Sequence, residues 1–344
     1  MPTAVKIKAP SFRRLGLGGL LLFGCVVLSL NAAETNALKL FKTIPLPGVK
    51  GRFDHFAMDP QGGRLFVAAL GNDTLEVLDV AAGQHLKSIP GLHKPTGVVY
   101  LPELNQIGVA NGADGSFKLF DGVSYELVNN LPGLDDADNV RRDLKTGLIY
   151  IGYGDGALAI LDRAGRKKLG DIKLSGHPES FQLEKNGNRI FINVPEAKHL
   201  AVIDRESRQA TATRWDHLDA NFPLALDESN HRLIIGCRKP KPWLFIVDTT
   251  NNRLVKVHAI SGDIDDLFYD AKRKCIYASC GEGFIDVIKQ TDPDHYETLS
   301  KIPTRAGART SFFSPDTDRL YLAVPQRGSQ TAEIRIYQGV SPHF

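Results

Sequence analysis

Six short stretches of the chain carry residues able to ligate a metal or move a proton. Asp54 stands beside His55, Asp138 beside Asn139, Asp265 beside Asp266, and His177 two positions before Glu179, with His93 in a further loop and Arg309 in another stretch. Imidazole and carboxylate together suit a divalent cation, with Zn²⁺ or Mn²⁺ favoured by histidine and Ca²⁺ by Asp and Asn oxygens. A carboxylate next to an imidazole is also the arrangement of a base and its orienter. Local spacing supplies no metal motif, because no two histidines stand as H-x-H or H-x-x-x-H. Successive residues of a strand point to opposite faces, so Asp54 and His55 need not touch, nor Asp265 and Asp266. Any site must therefore be assembled by the fold from positions far apart in sequence.

The fold that would do so is written as a repeat. Residues 51–80 read as three short β-strands joined by turns, with Gly62-Gly63 and Gly71-Asn72-Asp73 supplying turn chemistry. The second strand recurs at Arg64 (RLFVAAL), Gln106, Leu148, Arg189, Arg232, Cys275 and Arg319, at spacings of 42, 42, 41, 43, 43 and 44. Third strands follow in register, and first strands begin ten residues before each of these anchors, at Asp54, Thr96, Asp138, Glu179, Phe222, Asp265 and Arg309. A period of 40–45 residues with four strands per unit predicts an all-β, seven-bladed propeller of antiparallel blades. Six fourth strands follow the units in order. The seventh is expected from residues 38–46 (LKLFKTIPL), which have no first three strands before them and would complete the last blade and close the ring. Closure removes the exposed edges that an open ring would leave.

Asp79, Asp121, Asp162, Asp204 and Asp248 all end third strands. This row of carboxylates is read as turn punctuation, each side chain accepting nearby backbone N–H groups, and not as a site.

The units resemble the secreted YVTN-repeat (YncE-like) β-propellers. The four-residue signature of that family corresponds here to Phe66-Val67-Ala68-Ala69, Gly108-Val109-Ala110-Asn111 and Tyr321-Leu322-Ala323-Val324. Its other marks correspond to His93-Lys94-Pro95-Thr96-Gly97, His177-Pro178 and Ser314-Pro315-Asp316, within a match over about residues 38–338. The resemblance implies an exported seven-bladed propeller. It implies no shared catalytic residue set, since the family is defined by its scaffold.

The first 33 residues stand apart. Lys6, Lys8, Arg13 and Arg14 precede an apolar run over 15–30 and then Ala32-Ala33, the pattern of a cleaved secretory signal. Residues 1–33 are thus expected to be a signal peptide and 34–344 a single propeller domain, exported to the periplasm or beyond. Cys25 lies in a loose lipoprotein-like context, but the bulky Phe23 and the continuing apolar run disfavour lipidation. The formal charge of +3 includes those four basic residues and no acidic ones from the segment, so the mature chain stands near −1. A near-neutral chain without a basic block lacks the footprint of a nucleic-acid binder. Nothing after residue 33 is apolar enough to cross a bilayer. The three remaining cysteines, Cys237, Cys275 and Cys280, are an odd number without C-x-x-C, which argues for buried thiols and excludes attached c-type haem.

In a propeller, the loops entering the first strands and those joining second to third strands share one face, around the mouth of the central channel. Five of the ten histidines fall there: His55, His93, His177, His199 and His217. Asp54, Asp138, Asn139, Glu179, Asp265, Asp266 and Arg309 begin the first strands beside them. Trp215, Trp243 and the loop 238–241 lie on the same face. The leading expectation is a non-catalytic module binding a small molecule or a protein partner through this mouth. The rival is a metal-dependent hydrolase or lyase whose core would be His55, His93, His177, Glu179 and Asp266. An electron-transfer or quinone-dependent role is disfavoured by the absence of haem attachment and of a recurring Trp motif.

Overall fold

The computed structural model describes residues 37–340, so the predicted signal segment lies outside the described residues. Within them the chain forms seven four-stranded antiparallel sheets, each with its strands in sequence order except the last. Blade 1 is typical, with strands Phe56–Asp59, Arg64–Ala69, Thr74–Asp79 and Gln84–Ile89. The last blade takes Ser311–Ser314, Arg319–Val324 and Ala332–Gly339 from the end of the chain and Leu38–Leu46 from its beginning. Leu38 lies opposite Gly339 and Leu46 opposite Ala332, so the ring is closed as the repeat count predicts.

Blades stack face to face, and this explains the sequence of the second strands. A strand covered on both sides needs no polar face and reads as a continuous apolar run. In Arg64–Ala69 the period of two divides that run between two neighbours. Leu65 and Val67 pack with Tyr321, Ile334 and Ile44 of blade 7, while Phe66 and Ala68 pack with Val98, Ile107 and Val109 of blade 2. Each of the seven blade interfaces has its own apolar cluster of this kind. Burying one such side chain fully contributes about 1.5–3 kcal/mol. Fourth strands cover nothing on their outer side and are largely exposed, as in Gln84–Ile89.

The aspartates ending the third strands punctuate turns. Asp79 Oδ1 accepts from Ala82 N at 2.7 Å, Asp121 Oδ1 from Val123 N and Ser124 N at 2.8 Å each, and Asp248 Oδ1 from Thr250 N at 2.9 Å. Asp162 and Asp204 do the same for Arg166 N and Ser207 N. Cys237, Cys275 and Cys280 are buried free thiols, and burial pushes Cys237 up to about 12 and Cys275 to about 11. No helix among the described residues is long and apolar enough to cross a membrane.

Candidate functional site

All seven first strands begin with the same backbone irregularity. In blade 1, Asp54 N donates to Ala68 O at 2.8 Å while Ala68 N donates to His55 O at 3.0 Å, so two residues oppose one. Asp138 and Asn139 oppose Gly152 in the same way, and Glu179 and Ser180 oppose Asn193. Thr310 O accepts from Ala323 N at the matching place in blade 7. Blades 2, 5 and 6 shift register between Pro95 and Val98, Asn221 and Leu224, and Ile264 and Asp266. These are β-bulges, which leave a residue unpaired, bend the strand and re-aim its side chains. Pro223 is tolerated as a second bulge residue because that position donates nothing to the ladder. Packing there is close: a Cβ on Gly97 would meet Asp138 O of the next blade at 2.2 Å.

The bulges aim one residue per blade at a common point. Asp54, Thr96, Asp138, Glu179, Phe222, Asp265 and Arg309 all line a single cavity of about 470 Å³ at the channel mouth. The bulge also settles the relation of Asp54 and His55, which strand alternation alone left open. The alternation rule does not hold across an inserted residue, and His55 Nε2 lies 3.5 Å from Asp54 Oδ1.

The cavity divides into two sides. Towards blades 5, 6 and 7, arginines neutralise the carboxylates. Arg238 pairs with Asp265, donates from Nε to Ile264 O at 2.7 Å and lies 4.0 Å over the Phe222 ring. Arg309 reaches Asp263 at 2.6 Å and Asp265 at 3.2 Å. Towards blades 1, 3 and 4, histidines and carboxylates meet around Asp138. Its Oδ1 is 3.8 Å from His55 Nε2 and its Oδ2 is 3.9 Å from His177 Nε2. His177 Nδ1 donates to Gly154 O at 2.8 Å. Two groups, Asp54–His55–Asp138 and Asp138–His177–Glu179, each bring three potential ligand atoms within 4.8 Å of one another.

Charges on this side are under-compensated. Burial, with Asp138 and Asp265 nearby, pushes Asp54 up to about 6 despite His55 and Arg52. Burial and the neighbouring carboxylates raise Glu179 to about 8, and burial raises Asp266 to about 7. The Asp138 carboxylate beside it, against burial, lifts His177 to about 9. Burial also opposes ionisation of Asp138, yet His177 and His55 outweigh it and hold this carboxyl below its ordinary value.

Of the residues expected at the mouth, Asp54, His55, Asp138, Asn139, His177, Glu179, Asp265 and Arg309 line the cavity. His93 does not. It is exposed on its loop and its backbone N–H is held by Asn111 Oδ1 at 3.1 Å. Asp266 does not line the cavity either, being turned to accept from Ser311 N at 2.7 Å. His199 is buried against Ser175 Oγ, and His217 lies beside Trp215 in a separate surface cavity. Sequence reasoning missed Thr96 and Phe222, although both occupy the anchor-minus-ten register that identifies the other five. It also missed Arg52, Lys94 and Asp136, which share with His177 the register twelve residues before an anchor, and Asp155 and Glu196, each seven residues after one. Arg141, deeper in the channel, was missed as well; burial holds its guanidinium below its ordinary value despite Asp266 and Asp138.

No family model matches the chain, and no curated protein matches it. A solved chain from a structure titled "Crystal Structure of Mitotic Checkpoint Complex" superposes with a TM-score of 0.75 at 13% identity, covering 99% of each chain. At that identity the likeness speaks for the fold alone. The chain is a seven-bladed β-propeller.

Proposed function

We propose that the protein is an exported propeller of the YVTN-repeat kind that binds a small polar ligand at the channel mouth without transforming it. The convergence of seven bulge residues on one cavity of about 470 Å³ carries this reading. A concave site of several hundred Å³ with convergent polar groups is the usual form of a small-molecule site. Carboxylates outnumber their compensating cations on the histidine side, so the mouth favours a ligand that brings positive charge. The Arg238–Phe222 stack adds a flat wall on the other side. Binding of a protein partner over the same face is compatible with this; the superposed chain comes from a structure titled as a complex.

The test is a thermal-shift screen of small amines, amino acids, sugars and inorganic ions against the mature protein and an Asp138→Asn variant. Compounds that raise the wild-type melting temperature and lose that effect in the variant support the reading. A screen in which nothing shifts the wild type overturns it. Export is tested by N-terminal sequencing of protein recovered from a secreting host, expected to begin just after Ala32 or Ala33.

A second reading, a metal-dependent hydrolase or lyase, is favoured by one observation: the two histidine–carboxylate groups that share Asp138. Turnover of ester, lactone or polysaccharide substrates by metal-loaded protein would move this reading ahead of the first.

A further inference from the structure

We infer that the histidine side of the mouth holds two divalent cations bridged by the Asp138 carboxylate, one on Asp54, His55 and Asp138 Oδ1, the other on Asp138 Oδ2, His177 and Glu179. The inference rests on the mouth being the ligand site and names what that ligand is.

Distances carry the argument. The separations of 3.5, 3.8 and 3.9 Å between the histidine nitrogens and carboxylate oxygens are too long for N–H···O hydrogen bonds, which run about 2.7–3.2 Å. They are right for donors on a common ion, since two ligand atoms each about 2.0–2.2 Å from a metal can stand as much as about 4.4 Å apart. Asp138 does not turn both oxygens to one imidazole. It presents one to His55 and the other to His177, the arrangement of a bridging carboxylate. Paired ions in such sites stand about 3.5–4 Å apart.

The surroundings fit. His177 spends its Nδ1 proton on the Gly154 carbonyl at 2.8 Å, which leaves Nε2 as the atom facing Asp138. That backbone bond is the support a metal-ligating imidazole commonly has. A second, independent observation points into the same place. Asn139, the other residue of the Asp138 bulge, lines the cavity at 2% exposure, and its Oδ1 has no hydrogen-bond partner. Leaving a buried oxygen orphaned is costly, and a small rotation of the amide would bring it to a water carried by a bound cation. Competing positive charge is mostly engaged elsewhere: Arg238 and Arg309 with Asp265, Arg309 also with Asp263, and Lys94 with Asp136 at 3.3 Å. Arg52, largely exposed, is 3.3 Å from Asp54 and is the charge an ion there would displace. Arg141 donates to Val140 O but remains a cation near Asp138, deeper in the channel. Two imidazoles among carboxylates select a first-row ion such as Zn²⁺ or Mn²⁺ over Ca²⁺, which prefers six to eight oxygens.

The mature protein, stripped with chelator and reloaded separately with Zn²⁺, Mn²⁺ or Ca²⁺, is freed of excess ion and its metal content measured. Two Zn²⁺ or Mn²⁺ per chain are expected, with an exchange-coupled electron paramagnetic resonance spectrum for the manganese form. His55→Ala and His177→Ala should each retain one ion, and Asp138→Asn should weaken both at least tenfold. A His93→Ala control should retain two. One ion per chain, lost equally in both histidine variants, overturns the bridged pair, as does retention of Ca²⁺ alone or of no metal. If Asp138→Asn fails to fold by circular dichroism, the two histidine variants decide. Organic ligands that stabilise metal-free protein through Asp138, with no metal retained, would sink this inference and leave the mouth reading standing.

Discussion

The two ends of the first strands use the same residue types to opposite effect. At the end away from the mouth, carboxylates are matched by arginines. Arg64 meets Asp59 at 2.7 Å, Arg205 meets Asp143 at 2.9 Å and Arg273 meets Asp270 at 2.9 Å. Several of these arginines also reach the next blade, as Arg64 does to Asn105, Arg232 to Asp294 and Arg273 to Asp318. Burial works against ionisation of Asp59 and Asp143, yet their hydrogen bonds and arginines hold both below the ordinary carboxylate range. At the mouth, Asp54 and Glu179, with Asp266 behind them, are displaced upward, and Asp138, between two histidines, is held down. The far end is a set of ties between blades. The histidine side of the mouth is a set of carboxyls that resist ionisation until a counter-charge arrives.

The largest way to break this contrast is to cut a tie. Arg273→Ala leaves Asp270 buried and without its arginine, and removing one partner of a buried pair costs about 3–5 kcal/mol. Urea denaturation should show a loss near the lower figure, since Tyr277 still donates to Asp270 at 2.8 Å. Metal content and ligand-induced shifts should be unchanged.

Next in size is the dependence of metal-free protein on pH. Asp318 is held at about 2, chiefly by Arg273, so its stability is present above the ordinary carboxylate value and is lost as pH falls through about 2. Glu179 and His177 act in the other sense. Their folded values of about 8 and about 9 exceed the ordinary ones, so their contribution is complete below about 4.5 and 6.5 and disappears as pH rises through 8 and 9. Melting temperature in chelator should therefore peak in mildly acidic solution and fall on both sides. A flat profile from pH 5 to 9 would contradict the charge crowding at the mouth.

Glu179→Gln sharpens the same point with a smaller effect. It removes a carboxyl that resists ionisation when buried, so metal-free variant and wild type should melt together near pH 4. At pH 9 the variant should be the more stable, by roughly 2–4 °C for each kcal/mol relieved. Smallest of all is Asp79→Ala, which loses one exposed turn bond to Ala82 N. A shift of about a degree or two, independent of metal, is expected by calorimetry.

The blade count, the strand registers and the closing strand were all readable in the sequence, because stacked blades impose the same apolar run seven times. The turn aspartates were readable for a similar reason, since Asp79, Asp121 and Asp248 each serve their own turn. The mouth was readable only as a register. Position ten before each anchor picked out Asp54, Asp138, Glu179, Asp265 and Arg309, but alternation could not say whether Asp54 and His55 would share an ion-sized space. Bulges carry no residue signature of their own here, being formed equally by Asp-His, Glu-Ser and Phe-Pro. His93 looked equivalent to the other loop histidines, yet it stands thirteen residues before its anchor, and its neighbour Lys94, in the register of His177, takes the place in the cavity.

The closing strand has a consequence for how the molecule comes apart. Leu38 stands opposite Gly339, and beside them Val340 N donates to Ala37 O at 2.8 Å, at nearly opposite ends of the described chain. Joining them closes a loop of about 300 residues, at an entropic cost of about 5 kcal/mol when nothing in between is ordered. That cost largely vanishes once the intervening blades have formed and already bring the ends together, so the last blade is the natural final step of folding. The same logic makes it the first to yield. Transient release of Leu38–Leu46 would uncover an edge of Ala332–Gly339 while six blades stay intact, and amide exchange should register this seam as the least protected in the ring.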